Sequence, residues 1–177
     1  MIQYGILEEK SDYRIHVCPL DKKIYIFKTS IVRDMVKDAI QTKKYRFVPA
    51  RCEGELSGWG YIIPPTDILG IRFAEIKPTE LTTKTTKTTR ATSEDGDRAV
   101  ALTIEAIKND ELPYITCITE PIVVTEKKKQ IDGVDIIVTD VFEGILDLQV
   151  KWDGPGGICG TGNLYIQTHE VNLKNAH

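Results

Sequence analysis

Asp135, Asp147, Gln149 and Lys151 are the residues of this chain whose types and spacing best suit chemistry. They fall on two stretches, 131–138 and 145–152, that alternate residue by residue, as half-buried strands do. The residues between them, Asp140-Val141-Phe142-Glu143-Gly144, read as a tight reversal. A three-residue loop centred on Phe142 puts Asp135 opposite Gln149, with Cβ atoms roughly 5 Å apart. One face of this hairpin is Val134, Ile136, Val138, Leu146, Leu148, Val150 and Trp152, a core face. The other face gathers the four polar residues. Oxygen ligands beside a lysine, backed by a packed sheet, are what metal-dependent phosphodiester hydrolysis needs.

The rest of the chain has to position that hairpin. Tyr13–Cys18 and Lys23–Phe27 read as strands joined by a turn at Pro19-Leu20-Asp21-Lys22. A helix capped by Thr29 or Ser30 follows, with Ile31, Val32, Met35, Val36, Ala39 and Ile40 along one face. Its basic positions, Arg33, Lys37, Lys43 and Lys44, are candidates for phosphate contact, although a solvated face is the simpler reading. From Arg46 to Ile76 the pattern is less regular and suggests two strands, one around Trp59–Ile63 and one around Ile71–Ile76. The Thr/Lys-rich stretch from Thr79 to Arg90 reads as a linker. Beyond it, Ser93 or Asp95 caps a second helix running to about Asn109, and strands are expected at Tyr114–Ile118, Ile122–Thr125 and Asn163–Thr168.

Composition bounds the function. The chain has 177 residues, 41% of them hydrophobic, and no run long enough to span a membrane. The N-terminus lacks the pattern of a signal peptide, so a cytoplasmic setting is expected. The net charge of −3 divides unevenly. Residues 1–90 hold 16 Lys+Arg against 11 Asp+Glu, a charge of +5; residues 91–177 hold 7 against 15, a charge of −8. A basic front half suits phosphates and an acidic back half suits divalent cations. Cys18, Cys52, Cys117 and Cys159 form no CxxC pair, which argues against a zinc site or a disulfide framework. The Gly-rich stretch 154–162 contains no lysine and leads into a strand, so it fits neither phosphate-binding fingerprint. A Cys159–His169 pair lacks a third, orienting residue. Lys127-Lys128-Lys129 reads as a solvated turn, and the aromatics of residues 1–90 read as core.

The order helix, strands, Asp, hairpin and Gln-x-Lys resembles the core of the PD-(D/E)XK, or restriction-endonuclease-like, nuclease superfamily. Asp135 matches the first acid and Gln149-Val150-Lys151 the second element. Lys151-Trp152-Asp153 followed by Thr161-Gly162-Asn163 resembles a variant within it. The likeness covers about residues 94–170. Gln149 replaces the usual second acid, and Val134 stands where a proline is usual. The resemblance implies that Asp135 and Gln149, with Asp147 as a substitute carboxylate, hold Mg²⁺ or Mn²⁺. It implies that Lys151 orients water or stabilises charge on phosphorus. It also implies a further acid on the preceding helix, for which Glu105 is the candidate, with Glu94 and Asp97 behind it.

The expected protein is α+β: a small α+β module over 1–90, then a nuclease core over 91–177 with one helix and a mixed, mostly antiparallel sheet. The expected activity is metal-dependent cleavage of DNA by an endonuclease of restriction or homing type, acting as a homodimer or higher homo-oligomer. A non-enzymatic nucleic-acid-binding or assembly protein on the same scaffold, and a nuclease directed at RNA, are the alternatives.

Overall fold

The computed structural model describes residues 5–52, 55–77, 93–125, 133–154 and 162–170. The Thr/Lys-rich stretch, the lysine turn at 127–129, Cys159 and most of the Gly-rich loop lie outside these residues. The elements are β1 (Tyr13–Cys18), β2 (Lys23–Lys28), α1 (Thr29–Thr42), β3 (Arg46–Cys52), β4 (Glu55–Ile63), β5 (Arg72–Glu75), α2 (Ser93–Lys108), β6 (Ile122–Val123), β7 (Ile136–Asp140), β8 (Gly144–Trp152) and β9 (Leu164–Glu170). The fold is α+β, with a mixed six-stranded sheet ordered β5-β2-β1-β8-β7-β6 and an antiparallel three-stranded sheet ordered β3-β4-β9.

Strand alternation sorts the large sheet into two faces. Ile15 and Val17 of β1, Ile136 and Val138 of β7, and Leu148 and Val150 of β8 point one way and pack on Ala99, Leu102, Ala106 and Ile107 of α2. Cys18 and Phe27 point the other way. They pack with Val32, Val36 and Ala39 of α1 and with Tyr61, Ile63, Leu164 and Ile166 of the small sheet. Helical phase explains α1: its buried positions are three or four residues apart, and Ile40 lies off that stripe and is exposed. No side chain caps α1; residue 28 is the N-cap, and the Thr29 hydroxyl turns instead to Ser11, 2.9 Å away.

Several expectations need revision. The strand β1 runs parallel to β8, and β9 pairs with β4, so the two halves of the chain share both sheets. The cut near residue 90 does not divide the sheets. Residues 46–52 form a strand that the irregular pattern concealed. Residues 114–118 form none. Tyr114 takes a left-handed φ of +69°, and only Cys117 bridges to Asp140. In the small sheet Gly60 has no room for a side chain: a Cβ there would sit 2.5 Å from the Ile166 carbonyl oxygen and 2.7 Å from the Tyr165 ring. Among the described residues the buried Tyr165 hydroxyl finds no hydrogen-bond partner, and burial pushes its pKa up to about 12.

The hairpin is closed by Asp140. Its carboxylate accepts from the backbone N–H groups of Thr116 (2.7 Å), Phe142 (2.9 Å) and Glu143 (2.9 Å). Burial alone would raise its pKa. The N–H groups of Thr116, Glu143, Phe142 and Val141 outweigh that and hold the group below its ordinary value. A depressed folded-state pKa contributes stability above the unfolded value, and that stability is lost as pH falls through the folded one. Asp140→Ala is therefore expected to cost about 1–3 kcal/mol near neutral pH, read by urea denaturation. The gap to wild type should narrow as pH falls below about 4, the ordinary carboxylate value at which the unfolded chain takes up its proton, and close once the folded carboxylate is protonated too. A gap that stays constant into acid would contradict this role.

Candidate active site

Three residues anticipated from the sequence meet on one face of the hairpin. The three-residue turn at 141–143 sets the register, with Ile136 opposite Leu148 and Ile137 opposite Asp147. One step further along, the Asp135 N–H donates to the Leu148 carbonyl at 2.8 Å, which brings Asp135 beside Gln149. The Gln149 side-chain amide donates to Asp135 Oδ2 at 3.0 Å, and the Val150 N–H donates to the same oxygen at 2.8 Å. Lys151 lies two residues further along β8 on the same face. Burial pushes the Asp135 pKa up, against the downward pull of the Val150 N–H and of the Lys151 charge. Gly133 permits the approach. Its φ of +77° disfavours any side chain, and a Cβ there would lie 2.6 Å from Gln149 Oε1 and 2.9 Å from the Glu9 side chain.

The face of β1 beside these residues carries a polar network that the sequence reading did not single out. The parallel register sets Arg14 next to Gln149 and His16 next to Lys151. Arg14 is 3% exposed and His16 1%. Arg14 Nη1 donates to Glu9 Oε2 at 2.5 Å, and Ser11 donates to the other Glu9 oxygen. Arg14 Nε points at His16 Nε2 at 2.9 Å. A guanidinium only donates, so Nε2 is the acceptor and the ring proton sits on Nδ1. That nitrogen faces Asp153 Oδ2 at 3.1 Å. Glu9, Arg14, His16 and Asp153 thus form a continuous buried chain alongside Asp135, Gln149 and Lys151. The alternation of Arg14, His16 and Cys18 with apolar residues in β1 was its only trace in the sequence.

The other candidates are placed elsewhere. Asp147 sits opposite Ile137, and its backbone N–H and C=O both bond Asp12 at 2.7 Å. Glu105 is exposed on α2, which covers the opposite face of the sheet, and it borders a recess with Glu75, Lys77 and Glu111. It does not join Asp135. Helical spacing could not reveal this, because the side of the sheet that α2 covers is set by the tertiary fold. Glu94, in the first turn of the same helix, and Asp97 just beyond it are exposed. Arg33 is turned inward, donating to the backbone carbonyls of Ile6 and Glu9, so it ties down the N-terminal segment. Lys37, Lys43 and Lys44 are exposed, with Lys44 Nζ 3.9 Å from Asp67.

Comparison with family models, curated proteins and solved structures gives no match. The chemistry of the site therefore rests on its own donor set. Among the described residues no three His, Cys, Asp or Glu side chains converge to hold a metal. Both hydrogen bonds to the Asp135 carboxylate fall on Oδ2. A half-turn of the Gln149 amide would put its oxygen where the nitrogen now stands, beside that same Oδ2. One carboxylate and one amide oxygen, completed by water, fit the small protein ligand sets that Mg²⁺ accepts.

The two acids of this region have opposite energetic characters. A raised folded-state pKa makes ionised Asp135 a cost that grows as pH rises from the ordinary carboxylate value through the folded one. Asp135→Asn is expected to leave thermal stability near neutral pH unchanged or higher. Glu9→Ala leaves the Arg14 guanidinium buried without its partner and is expected to cost about 3–5 kcal/mol. Thermal and urea unfolding of both variants test this. A large loss of stability in Asp135→Asn would mark Asp135 as a structural group.

Proposed function

We propose that this chain is a metal-dependent endonuclease of the restriction-endonuclease-like type that hydrolyses phosphodiester bonds in DNA. The observation that carries this reading is the 3.0 Å contact between Asp135 and the Gln149 amide across neighbouring strands, with Lys151 on the same face. Asp135 and Gln149 would hold Mg²⁺ or Mn²⁺, with Asp147 two residues before Gln149 on the same strand. A divalent cation supplies Lewis-acid activation of phosphate and a bound water of lowered pKa. Lys151 orients the attacking water and meets the charge that builds on phosphorus. Its field at Asp135 favours the ionised carboxylate that a cation requires. Arg14 and His16 hold β1 against β8 and so fix the strand that carries Gln149 and Lys151. Cutting both strands of a duplex calls for two such sites, which a homodimer acting in the cytoplasm would supply.

A second reading has an observation in its favour. Asp135 Oδ2 is already satisfied by two N–H groups, and the amide nitrogen of Gln149 faces it. That suits a non-enzymatic nucleic-acid-binding or assembly protein that keeps the hairpin as scaffold. Incubation of the pure protein with supercoiled plasmid and Mg²⁺ or Mn²⁺ separates the two. The nuclease reading expects nicking or linearisation, abolished by EDTA and reduced at least about 100-fold in Lys151→Ala. Intact plasmid and intact RNA across varied substrates would favour the scaffold. Cleavage of RNA alone would redirect the proposal to a ribonuclease.

A further inference from the structure

The segment Lys43-Lys44-Tyr45-Arg46-Phe47-Val48-Pro49-Ala50-Arg51 carries four cations and no acid. It forms the end of α1 and then β3, the edge strand of the small sheet. On β3 and its neighbour, three aromatic rings form a graded stack. Tyr61 is buried in the core, and the Phe47 ring lies 4.9 Å from it, tilted by 45°. On its other contact Phe47 lies nearly parallel to Trp59, with centroids 5.3 Å apart and ring planes 16° apart. Phe47 nevertheless leaves 46% of its surface in solvent. The Thr168 hydroxyl donates to the Trp59 carbonyl at 3.0 Å and steadies the strand that supports the stack. Arg46 and Arg51 are exposed on the same strand, and Lys43 and Lys44 are exposed at the preceding turn. Three or four residues separate those lysines from Phe47, which keeps their Cα atoms within roughly 14 Å of its Cα.

A large aromatic held half-exposed on a rigid strand that carries Arg46 and Arg51 and follows Lys43 and Lys44, the latter 3.9 Å from Asp67, matches the chemistry of unpaired bases on a phosphate backbone. The ring surface left in solvent receives bases, and the neighbouring ammonium and guanidinium groups receive phosphates. We infer that the β3 edge of the small sheet is a stacking shelf for single-stranded nucleic acid, with Phe47 and Trp59 as its platform. A duplex offers the same phosphates but hides its base faces, so the shelf discriminates by strandedness. This surface is distinct from the Asp135 hairpin, and its binding holds whether or not that hairpin cleaves.

The test uses the full chain carrying Asp135→Asn, in EDTA, so that cleavage plays no part. Trp59 and Trp152 are the two tryptophans, and Trp152→Phe isolates the reporter. Titration with a thymidine 16-mer is expected to quench Trp59 fluorescence saturably, and more weakly as salt rises. The matching duplex and polyglutamate should bind at least about tenfold more weakly. Phe47→Ala should weaken binding of the 16-mer by about tenfold to 100-fold, while Phe47→Tyr keeps it. Arg46→Ala combined with Lys43→Ala should flatten the salt dependence. Phe47→Leu keeps apolar bulk against Tyr61 but removes the ring, and it replaces Phe47→Ala if circular dichroism shows the alanine variant unfolded. Absence of quenching, equal affinity for duplex or polyglutamate, or undiminished binding by folded Phe47→Leu would overturn the inference.

Discussion

A guanidinium on a central strand of a six-stranded sheet, out of reach of water, is tolerable only when its charge is matched and its donors are satisfied. Arg14 is that group, and the elements around it are arranged to meet the requirement. Glu9 approaches from the segment before β1 and brings Ser11 and Thr29 into the same set of bonds. His16 is held in one tautomer by Arg14 on one side and Asp153 on the other. Asp153 directly follows β8, so its bond to His16 ties the two parallel strands together at one end, and the bonds between Asp12 and Asp147 tie them at the other. The Asp135–Gln149 contact sits on this foundation, and Gly133 leaves it room.

The hairpin was legible in the sequence because its determinants are local. Alternation fixed its faces, the short loop around Phe142 fixed its register, and Asp135 met Gln149 as expected. The helices were legible through their spacing. The parallel pairing of β1 with β8 was not, since more than a hundred residues separate the partners and neither strand announces its neighbour. The same gap hid the roles of Arg14 and His16, which read as ordinary polar positions until β8 is set beside them. Glu105 failed for a related reason: periodicity gives the face of a helix but not the face of the sheet it will cover. Val48-Pro49-Ala50 breaks the pattern of a strand, and Pro49 is accommodated because β3 lies at an edge.

The two sheets divide the labour of the chain differently from its sequence halves. The large sheet takes strands from both ends and carries the buried acid–base network. The small sheet joins β3 and β4 to the last described strand and leaves Phe47, Arg46 and Arg51 exposed along its β3 edge. The basic and acidic halves of the sequence therefore each contribute strands to both sheets.

The placement of β1 also constrains how the polypeptide reaches its native state. A ribosome delivers β1 and β2 long before β8 exists, so one side of β1 waits with its backbone N–H and C=O groups unpaired. The Arg14 and His16 side chains wait with it, because Asp153 emerges later still. Productive closure must span almost the whole chain, a loop entropy that slows folding and lengthens the time an open strand is available to other chains. Synthesis from the N-terminus thus gives this architecture no early resting point, and its yield in a cell depends on keeping nascent chains apart until the last third has been made.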